Sequence, residues 1–380
     1  MVKSLLVTLD YPPQVGGVAV YYEHLAGEFP DGRIMVLTAA EVYGRKIQET
    51  PGVFRRAFLF KSKLFWPKWL PMLWQIWKIT RQNKIKLIQV GQILPVGTAV
   101  YILNKFFKIP YMVYCHGMDV MTAAQSPRKK RLARKILNKS EFIVANSEFT
   151  KEKILEYGAR AQDVAVVYPC PNMKLFRKAT PQEIDALKSK YNLRGKKIIL
   201  TAGRLVERKG HDVVLGALHK LNESAPEAHY VIIGEGPMEE VIKQMIKTLG
   251  LEDSVTLIGK VSDHDLAIWY EVCDVFVMIS RQLKNEDAEG FGIVYLEANM
   301  FGKPVIAGKS GGAAEAVLDN ETGILVEPTN QQEIINAIEK ILKNPVEARR
   351  LGENGRRRAE QDFQWSKQAK PLIERIMKYE

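Results

Sequence analysis

Short β-rich apolar runs alternate with segments of helical period along almost the whole chain. In the first half the strand patterns fall at Ser4–Thr8, Arg33–Thr38, Leu87–Gln89, Tyr111–Tyr114 and Phe142–Ala145. In the second half they fall at Lys197–Ala202, His229–Ile233, Val255–Ile258, Val275–Met278, Pro304–Ala307 and Gly323–Val326. Such alternation predicts parallel sheets with helices on both faces. It pauses between about Asn172 and Gly195, in a stretch containing Pro and Lys, which places a domain junction there. The expected architecture is α/β: two doubly wound, Rossmann-like domains facing a cleft, over residues 1–180 and 190–362. Domains of this kind bind ligands at the carboxyl ends of their strands. The last segment, from Phe363, is helical in pattern and carries Trp365.

Composition agrees with two ordinary domains in 380 residues, 46% hydrophobic and 26% charged. The opening residues turn polar too soon for a signal peptide, and no apolar run reaches the roughly 18 residues of a spanning helix. Cys115, Cys170 and Cys273 are scattered, with neither metal spacing nor a disulfide framework, so a reducing, cytoplasmic setting is expected. The net charge of +12 is localised. Between Glu49 and Glu141 there are 18 Lys and Arg against one acid, Asp119, while the rest of the chain is slightly acidic. A field of one sign over part of one domain points to an anionic partner. No zinc module, RNA-recognition signature or helix-turn-helix pattern makes that partner a nucleic acid.

The segment Glu289-Gly-Phe-Gly-Ile-Val-Tyr-Leu-Glu297 carries the most chemistry. Gly290 and Gly292 leave backbone N–H groups uncovered, and a helix starting near Gly292 turns its first N–H groups toward the same space. Free N–H groups at a positive helix end suit an anion. A helical rise of about 1.5 Å per residue puts the two carboxylates roughly 10 Å apart, about the span of a sugar–diphosphate–ribose ligand. Three other loops follow strands. Tyr11-Pro-Pro-Gln-Val-Gly-Gly-Val-Ala-Val-Tyr21 offers Gly16 and Gly17 for close approach of a ligand before a helix. Tyr114-Cys-His-Gly-Met-Asp119 brings His116 to a strand end. Ala202-Gly-Arg-Leu-Val-Glu-Arg-Lys-Gly-His-Asp212 spaces Arg204 and Lys209 to reach one diphosphate, with Arg208 expected to face solvent. Gly234-Glu-Gly-Pro237 lacks the third glycine of a dinucleotide fingerprint. Asp263-His-Asp265 follows Ser262, so Ser262 or Asp263 reads as a helix N-cap rather than a metal ligand. No catalytic metal is expected.

Together, in this order and over nearly the whole chain, these motifs resemble the retaining glycosyltransferases of family four, which have the GT-B fold. The resemblance implies a nucleotide-sugar donor as co-substrate and no further cofactor. It assigns Arg204 and Lys209 to the leaving diphosphate, and Glu289 and His116 to the transferred sugar. The amides of Phe291, Gly292 and Ile293, beside Gly290, would support diphosphate or sugar. Glu297 would hold the ribose, and the loop with Gly16 and Gly17 would touch donor and acceptor. Pro304-Val-Ile-Ala-Gly-Lys-Ser-Gly-Gly312 and Glu315 match the family's next strand and glycine turn. The terminal helix would cross back to the first domain. Asn172-Met-Lys-Leu-Phe176 departs from the Asn-Gly-Val-Asp common there, and no role is carried onto it. Glu289–Glu297 followed by Ile306-Ala-Gly-Lys-Ser-Gly-Gly312 resembles the bacterial phosphatidylinositol mannosyltransferases and related mannosyltransferases, which tilts the donor to GDP-mannose with UDP-sugars next.

Trp66, Trp69, Trp74 and Trp77 are four of the six tryptophans, on apolar positions of helical spacing. Lys61, Lys63, Lys68, Lys78, Arg81, Lys84 and Lys86 surround them, and Arg128-Lys-Lys-Arg-Leu-Ala-Arg-Lys135 adds a second basic cluster. Pro67 and Pro71 limit the helix, which is expected to start near Pro71. Such a segment either lies on an anionic membrane or packs its tryptophans on the sheet. The first alternative implies a peripheral protein on the inner face of the plasma membrane, acting on a lipid or lipid-linked glycan. A soluble acceptor, or a catalytically silent sugar-nucleotide-binding scaffold, are the competing readings.

Overall fold

The structure, a computed structural model, describes residues 3–14, 16–42, 44–59, 67–173, 176–284 and 286–379. The chain forms two compact units, Met1–Pro169 with Trp365–Glu380, and Cys170–Gln364. The first contains β1 (Ser4–Val7), β2 (Ile34–Ala39), β3 (Glu41–Val42), β4 (Arg45–Lys46), β5 (Val53–Arg56), β6 (Leu87–Val90), β7 (Tyr111–Cys115), β8 (Ile143–Ala145) and β9 (Val164–Val166). Seven of these make one sheet in the order β5-β2-β1-β6-β7-β8-β9, and every pairing is parallel. Its helices are α1 (Gly17–Gly27), α2 (Leu70–Gln82), α3 (Val96–Phe107), α4 (Met118–Ala124), α5 (Pro127–Lys139) and α6 (Glu148–Leu155), joined by the C-terminal helix.

The central strands are largely apolar and buried on both sides, as a parallel sheet covered by helices requires, and the buried polar Gln89 donates to Ser4 Oγ at 2.8 Å. Leu5, Val7, Ile88, Val90 and Val113 meet Met72, Ile76, Val100, Leu103 and Ile136 in one core. Full burial of each such side chain stabilises the unit by about 1.5–3 kcal/mol before entropy is counted.

The second unit contains β10 (Lys197–Ala202), β11 (Ala228–Ile233), β12 (Val255–Gly259), β13 (Val275–Met278), β14 (Val305–Gly308) and β15 (Gly323–Val326), all parallel, in the order β12-β11-β10-β13-β14-β15. Around them lie α7 (Pro181–Lys190), α8 (His211–Leu221), α9 (Glu239–Thr248), α10 (Asp263–Val272), α11 (Ile293–Met300), α12 (Ala313–Ala316), α13 (Gln331–Lys343) and α14 (Pro345–Asp362). In each sheet the strand order reverses once, at β1/β6 and at β10/β13. Those are the points where helices on opposite faces leave a crevice at the carboxyl ends.

All eleven strand patterns form strands, with ends displaced by at most a residue. The sequence pattern missed β5 and β9, which are the two edges of the first sheet, and the two-residue hairpin β3–β4. Edge strands this short are only half covered, so their residues need not be uniformly apolar. The unit boundary at Pro169/Cys170 lies just before the stretch from 172 to 195. The reason is local: Phe176 packs on Phe301 with ring centroids 5.0 Å apart, tying this segment to the second unit. The C-terminal helix, α15 (Trp365–Met377), groups with the first unit. Trp365 meets the Tyr21 ring edge-on at 5.0 Å and stacks over His24 at 6.0 Å. Arg375 lies 4.4 Å over the ring of Phe142.

Candidate active site

At the β10/β13 switch point of the second unit, two loops meet. Lys209 ends a short 3-10 turn after β10, and Glu289 lies in the loop between β13 and α11. Their side chains form an ion pair at 2.5 Å, both largely buried at 11% and 12% exposure. Burial by itself would push the Glu289 carboxyl up. The charges of Lys209 and Arg208, the Lys209 hydrogen bond and the Phe291 amide outweigh it and hold the group below its ordinary value. Glu289 is therefore an anion at neutral pH, and both its oxygens can accept hydrogen bonds.

Arg208 does not face solvent, contrary to expectation. Its side chain is 14% exposed and pairs with Asp287 at 3.4 Å. The 3-10 turn over Glu207–Lys209 curls it inward, where the Arg208 carbonyl accepts the Arg281 N–H at 2.8 Å. Arg281 in turn holds Asp212 at 2.8 Å. These contacts clamp the loop after β13 onto the loop after β10. Arg204, by contrast, is exposed, and its guanidinium has no ion-pair partner among the described residues.

Glycine makes the close packing possible. A Cβ at Gly311 would stand 2.2 Å from the Glu289 carbonyl oxygen, and one at Gly312 would stand 2.2 Å from that of Gly290. The Gly312 N–H donates to the Glu289 carbonyl at 2.8 Å. The glycine turn after β14 thus braces the backbone that carries Glu289. The Gly234-Glu-Gly-Pro turn has the same use on the other side: a Cβ at Gly234 would lie 1.9 Å from the Gly203 carbonyl oxygen. Gly292 has φ 90° at the N-cap of α11, and Phe291 is buried, 5.7 Å from Phe363. Ile293 is the first residue of α11, and although the Tyr295 N–H donates to the Gly292 carbonyl at 3.1 Å, the N–H groups before it have no intrahelical partner. In this structure the Phe291 amide supports the Glu289 carboxylate.

Glu297 sits one turn into α11 and accepts a hydrogen bond from the Tyr270 hydroxyl at 2.9 Å. Burial raises its carboxyl to about 7, against the lowering effect of that hydrogen bond, with the Asp263 charge adding to the rise. Pro171, Asn172, Met173, Phe176, Met300 and Phe301 line a recess with it. Tyr270 does not stand out in the sequence, and Asn172-Met-Lys-Leu-Phe176 shows there only as a departure without a role, because nothing in local spacing links either to position 297. Ser262 Oγ accepts the Asp265 N–H, so Ser262 is the N-cap of α10 and the two aspartates sit in its first turn.

The remaining site residues belong to the first unit. Gly16 caps α1 and Gly17 opens it, and a Cβ on either would meet nothing within 4 Å, so the loop presents open backbone. His116 ends β7. Its N–H donates to Asp119 Oδ1 at 2.9 Å, and Nε2 lies 2.7 Å from the Tyr22 hydroxyl. Desolvation lowers the imidazole to about 3, so it is neutral at physiological pH. Burial raises the Asp119 carboxyl to about 6, against four backbone hydrogen bonds that lower it, from His116, Val120, Ile93 and Asp119 itself.

The tryptophan segment divides its faces. Residues 60–66, including Lys61, Lys63 and Trp66, lie outside the described ones. The helix α2 starts at Leu70 with Pro71 in its first turn. Trp69, Leu73 and Trp77 pack against the core, whereas Trp74 is 56% exposed. Trp74 stacks on Trp77 at 5.0 Å, and Trp77 meets Phe107 at 6.1 Å. Leu70, Phe106 and Phe107 are exposed as well. Among the described residues no helix is long and apolar enough to cross a membrane.

Two family models match the chain. Residues 15–173 match Glycosyltransferase Family 4, and residues 183–358 match Glycosyl transferases group 1. The GDP-mannose-dependent alpha-(1-6)-phosphatidylinositol monomannoside mannosyltransferase of Mycolicibacterium smegmatis is 28% identical over 97% of both chains. Its monoacylated-acceptor counterpart from Corynebacterium glutamicum is 25% identical over 96% of this chain and 94% of that one. Among solved structures, Anabaena HepE with UDP and glucose superposes with a TM-score of 0.84 at 22% identity, covering both chains in full. Sucrose-phosphate synthase from Thermosynechococcus elongatus superposes with a TM-score of 0.81 at 23% identity, covering 100% of this chain and 99% of that one.

Proposed function

Since the chain belongs to the glycosyltransferases of GT-B fold, with a family 4 first domain and a group 1 second domain, we propose that it moves mannose from GDP-mannose to a hydroxyl of a lipid or lipid-linked glycan. The Lys209–Glu289 pair carries this reading: a cation and an acceptor for hydroxyls, joined at the switch point beside the start of α11. The donor follows that of the GDP-mannose-dependent mannosyltransferase relatives. The likeness to UDP-bound structures is one of fold and does not weigh on the base.

In the proposed reaction the acceptor oxygen bonds to the anomeric carbon on the face from which the diphosphate departs, so configuration is retained. The bond from that carbon to the diphosphate oxygen breaks, and a donor phosphate oxygen takes the acceptor's proton. Lys209 and the exposed Arg204 offset charge growing on the leaving group, aided by the N–H groups opening α11. Glu289 and His116 position the sugar, and Glu297 the ribose. No metal is required by this scheme, because the protein's own cations do that work. The exposed Trp74, Phe106 and Phe107, with Lys78, Arg81 and the basic face of α5, support peripheral docking on an anionic membrane.

The test is a panel of GDP-, UDP- and ADP-sugars, scored by binding and slow nucleotide release, with and without a chelator. GDP release from GDP-mannose, insensitive to chelation, is the expected result. Release from UDP-sugars alone would overturn the donor, and silence across the panel in folded protein would favour the scaffold reading. Lys209→Ala, Arg204→Ala and Glu289→Ala should each lower turnover by about a hundredfold or more. A near-normal rate in folded Lys209→Ala would remove the assignment.

A further inference from the structure

Tyr22 lies on α1 and is fully buried, and its hydroxyl has two polar neighbours. The Gly91 carbonyl oxygen stands at 2.6 Å and His116 Nε2 at 2.7 Å. A carbonyl oxygen only accepts, and two oxygens that close with no hydrogen between them would repel. The single phenolic hydrogen therefore points to Gly91. What the phenol turns toward His116 is a lone pair, so Nε2 must bring the proton. With the ring neutral, Nδ1 then carries a lone pair.

We propose that Tyr22 is a positioning residue that, braced by the Gly91 carbonyl, holds His116 as its Nε2–H tautomer and leaves Nδ1 to accept a hydrogen bond from a substrate hydroxyl. The brace is itself fixed. The Gly91 N–H donates to the Val7 carbonyl at 2.8 Å, and a Cβ at Gly91 would stand 2.7 Å from Thr8 Cβ. The carbonyl is thus set by the junction of β1 with β6, the switch point of this sheet. Tyr21 and Tyr22 meet the imidazole edge-on at 5.0 and 5.2 Å, which fixes its plane. Among the described residues Nδ1 has no hydrogen-bond partner. An Nδ1–H tautomer would present a donor there and leave two lone pairs, at Nε2 and the phenol, facing each other at 2.7 Å.

The tautomer assignment stands on this geometry and on the neutral ring that burial enforces; its effect on turnover rests on the proposed glycosyl transfer. Long-range proton–nitrogen NMR on full-length protein carrying labelled histidine reads it directly, with His116→Gln identifying the resonance. The proton is expected on Nε2. A proton on Nδ1, or averaging between the two nitrogens, overturns the proposal whatever the enzyme does. Tyr22→Phe keeps the ring and removes the hydroxyl. It should shift His116 toward a tautomer mixture and lower kcat by about tenfold, with donor KM little changed. An unchanged tautomer and unchanged kcat in that variant would equally overturn it. Absence of turnover in wild-type protein with the Nε2–H signature intact would count against glycosyl transfer and for the tautomer lock.

Discussion

Lys209 and Glu289 are two opposite charges in a place where neither is well solvated, and each depends on the other. The folded carboxyl of Glu289 lies below its ordinary value of 4.5. It therefore contributes stability that is present above that value and lost as pH falls through the folded one. Urea unfolding between pH 7 and 3 should show this acid loss, and Glu289→Gln should flatten it. Glu297 runs the other way. Raised from 4.5 to about 7, it contributes stability that is full below 4.5 and lost as pH rises through about 7. If the ionised form receives the ribose hydroxyls, nucleotide affinity should rise over the same interval. Titration calorimetry at pH 6 and 8 checks this, with tighter binding expected at pH 8 and no difference in Glu297→Gln.

At the scale of elements, each strand end is connected to chemistry by a loop that only tight packing holds in place. Gly311 tests that packing. It has φ 56° and no room for a Cβ beside the Glu289 carbonyl, whereas Gly302 has φ 68° and open space. Gly302→Ala should cost about 1–2 kcal/mol, the left-handed backbone alone. Gly311→Ala should cost more, above about 2 kcal/mol, and should also lower activity because the backbone of Glu289 must shift. Chemical denaturation of the two variants gives the comparison. The sequence showed a glycine turn after a strand in 308–312 but not its partner, since the contact joins residues 22 positions apart, Gly311 with Glu289. Arg208 was misjudged for a similar reason. A basic residue in a polar loop reads as solvated until the loop after β13, with Asp287 and Arg281, is folded over it.

Over the whole molecule, the charge excess between Glu49 and Glu141 gathers on one unit, and part of it flanks exposed aromatic side chains. Flotation with anionic vesicles at low salt should carry the protein upward, and raised salt should weaken this. Trp74→Glu should reduce flotation while leaving stability within about 0.5 kcal/mol, because the side chain is already exposed. Equal flotation of that variant would take the aromatic ridge out of the membrane reading.

Hydrophobic period and glycine placement along the chain were enough for two parallel α/β sheets and for loops at strand ends carrying Arg204, Lys209, Glu289 and His116. These are local properties, set by which residues can lie between two helical layers and which can turn sharply. Pairing was decided only in three dimensions: Lys209 with Glu289, Arg208 with Asp287, Tyr270 with Glu297, Tyr22 with Gly91 and His116. Each joins residues that strand order, not sequence spacing, brings together. Protonation was decided there as well, because burial and a neighbouring charge shift a carboxyl or an imidazole only once the neighbours are in place.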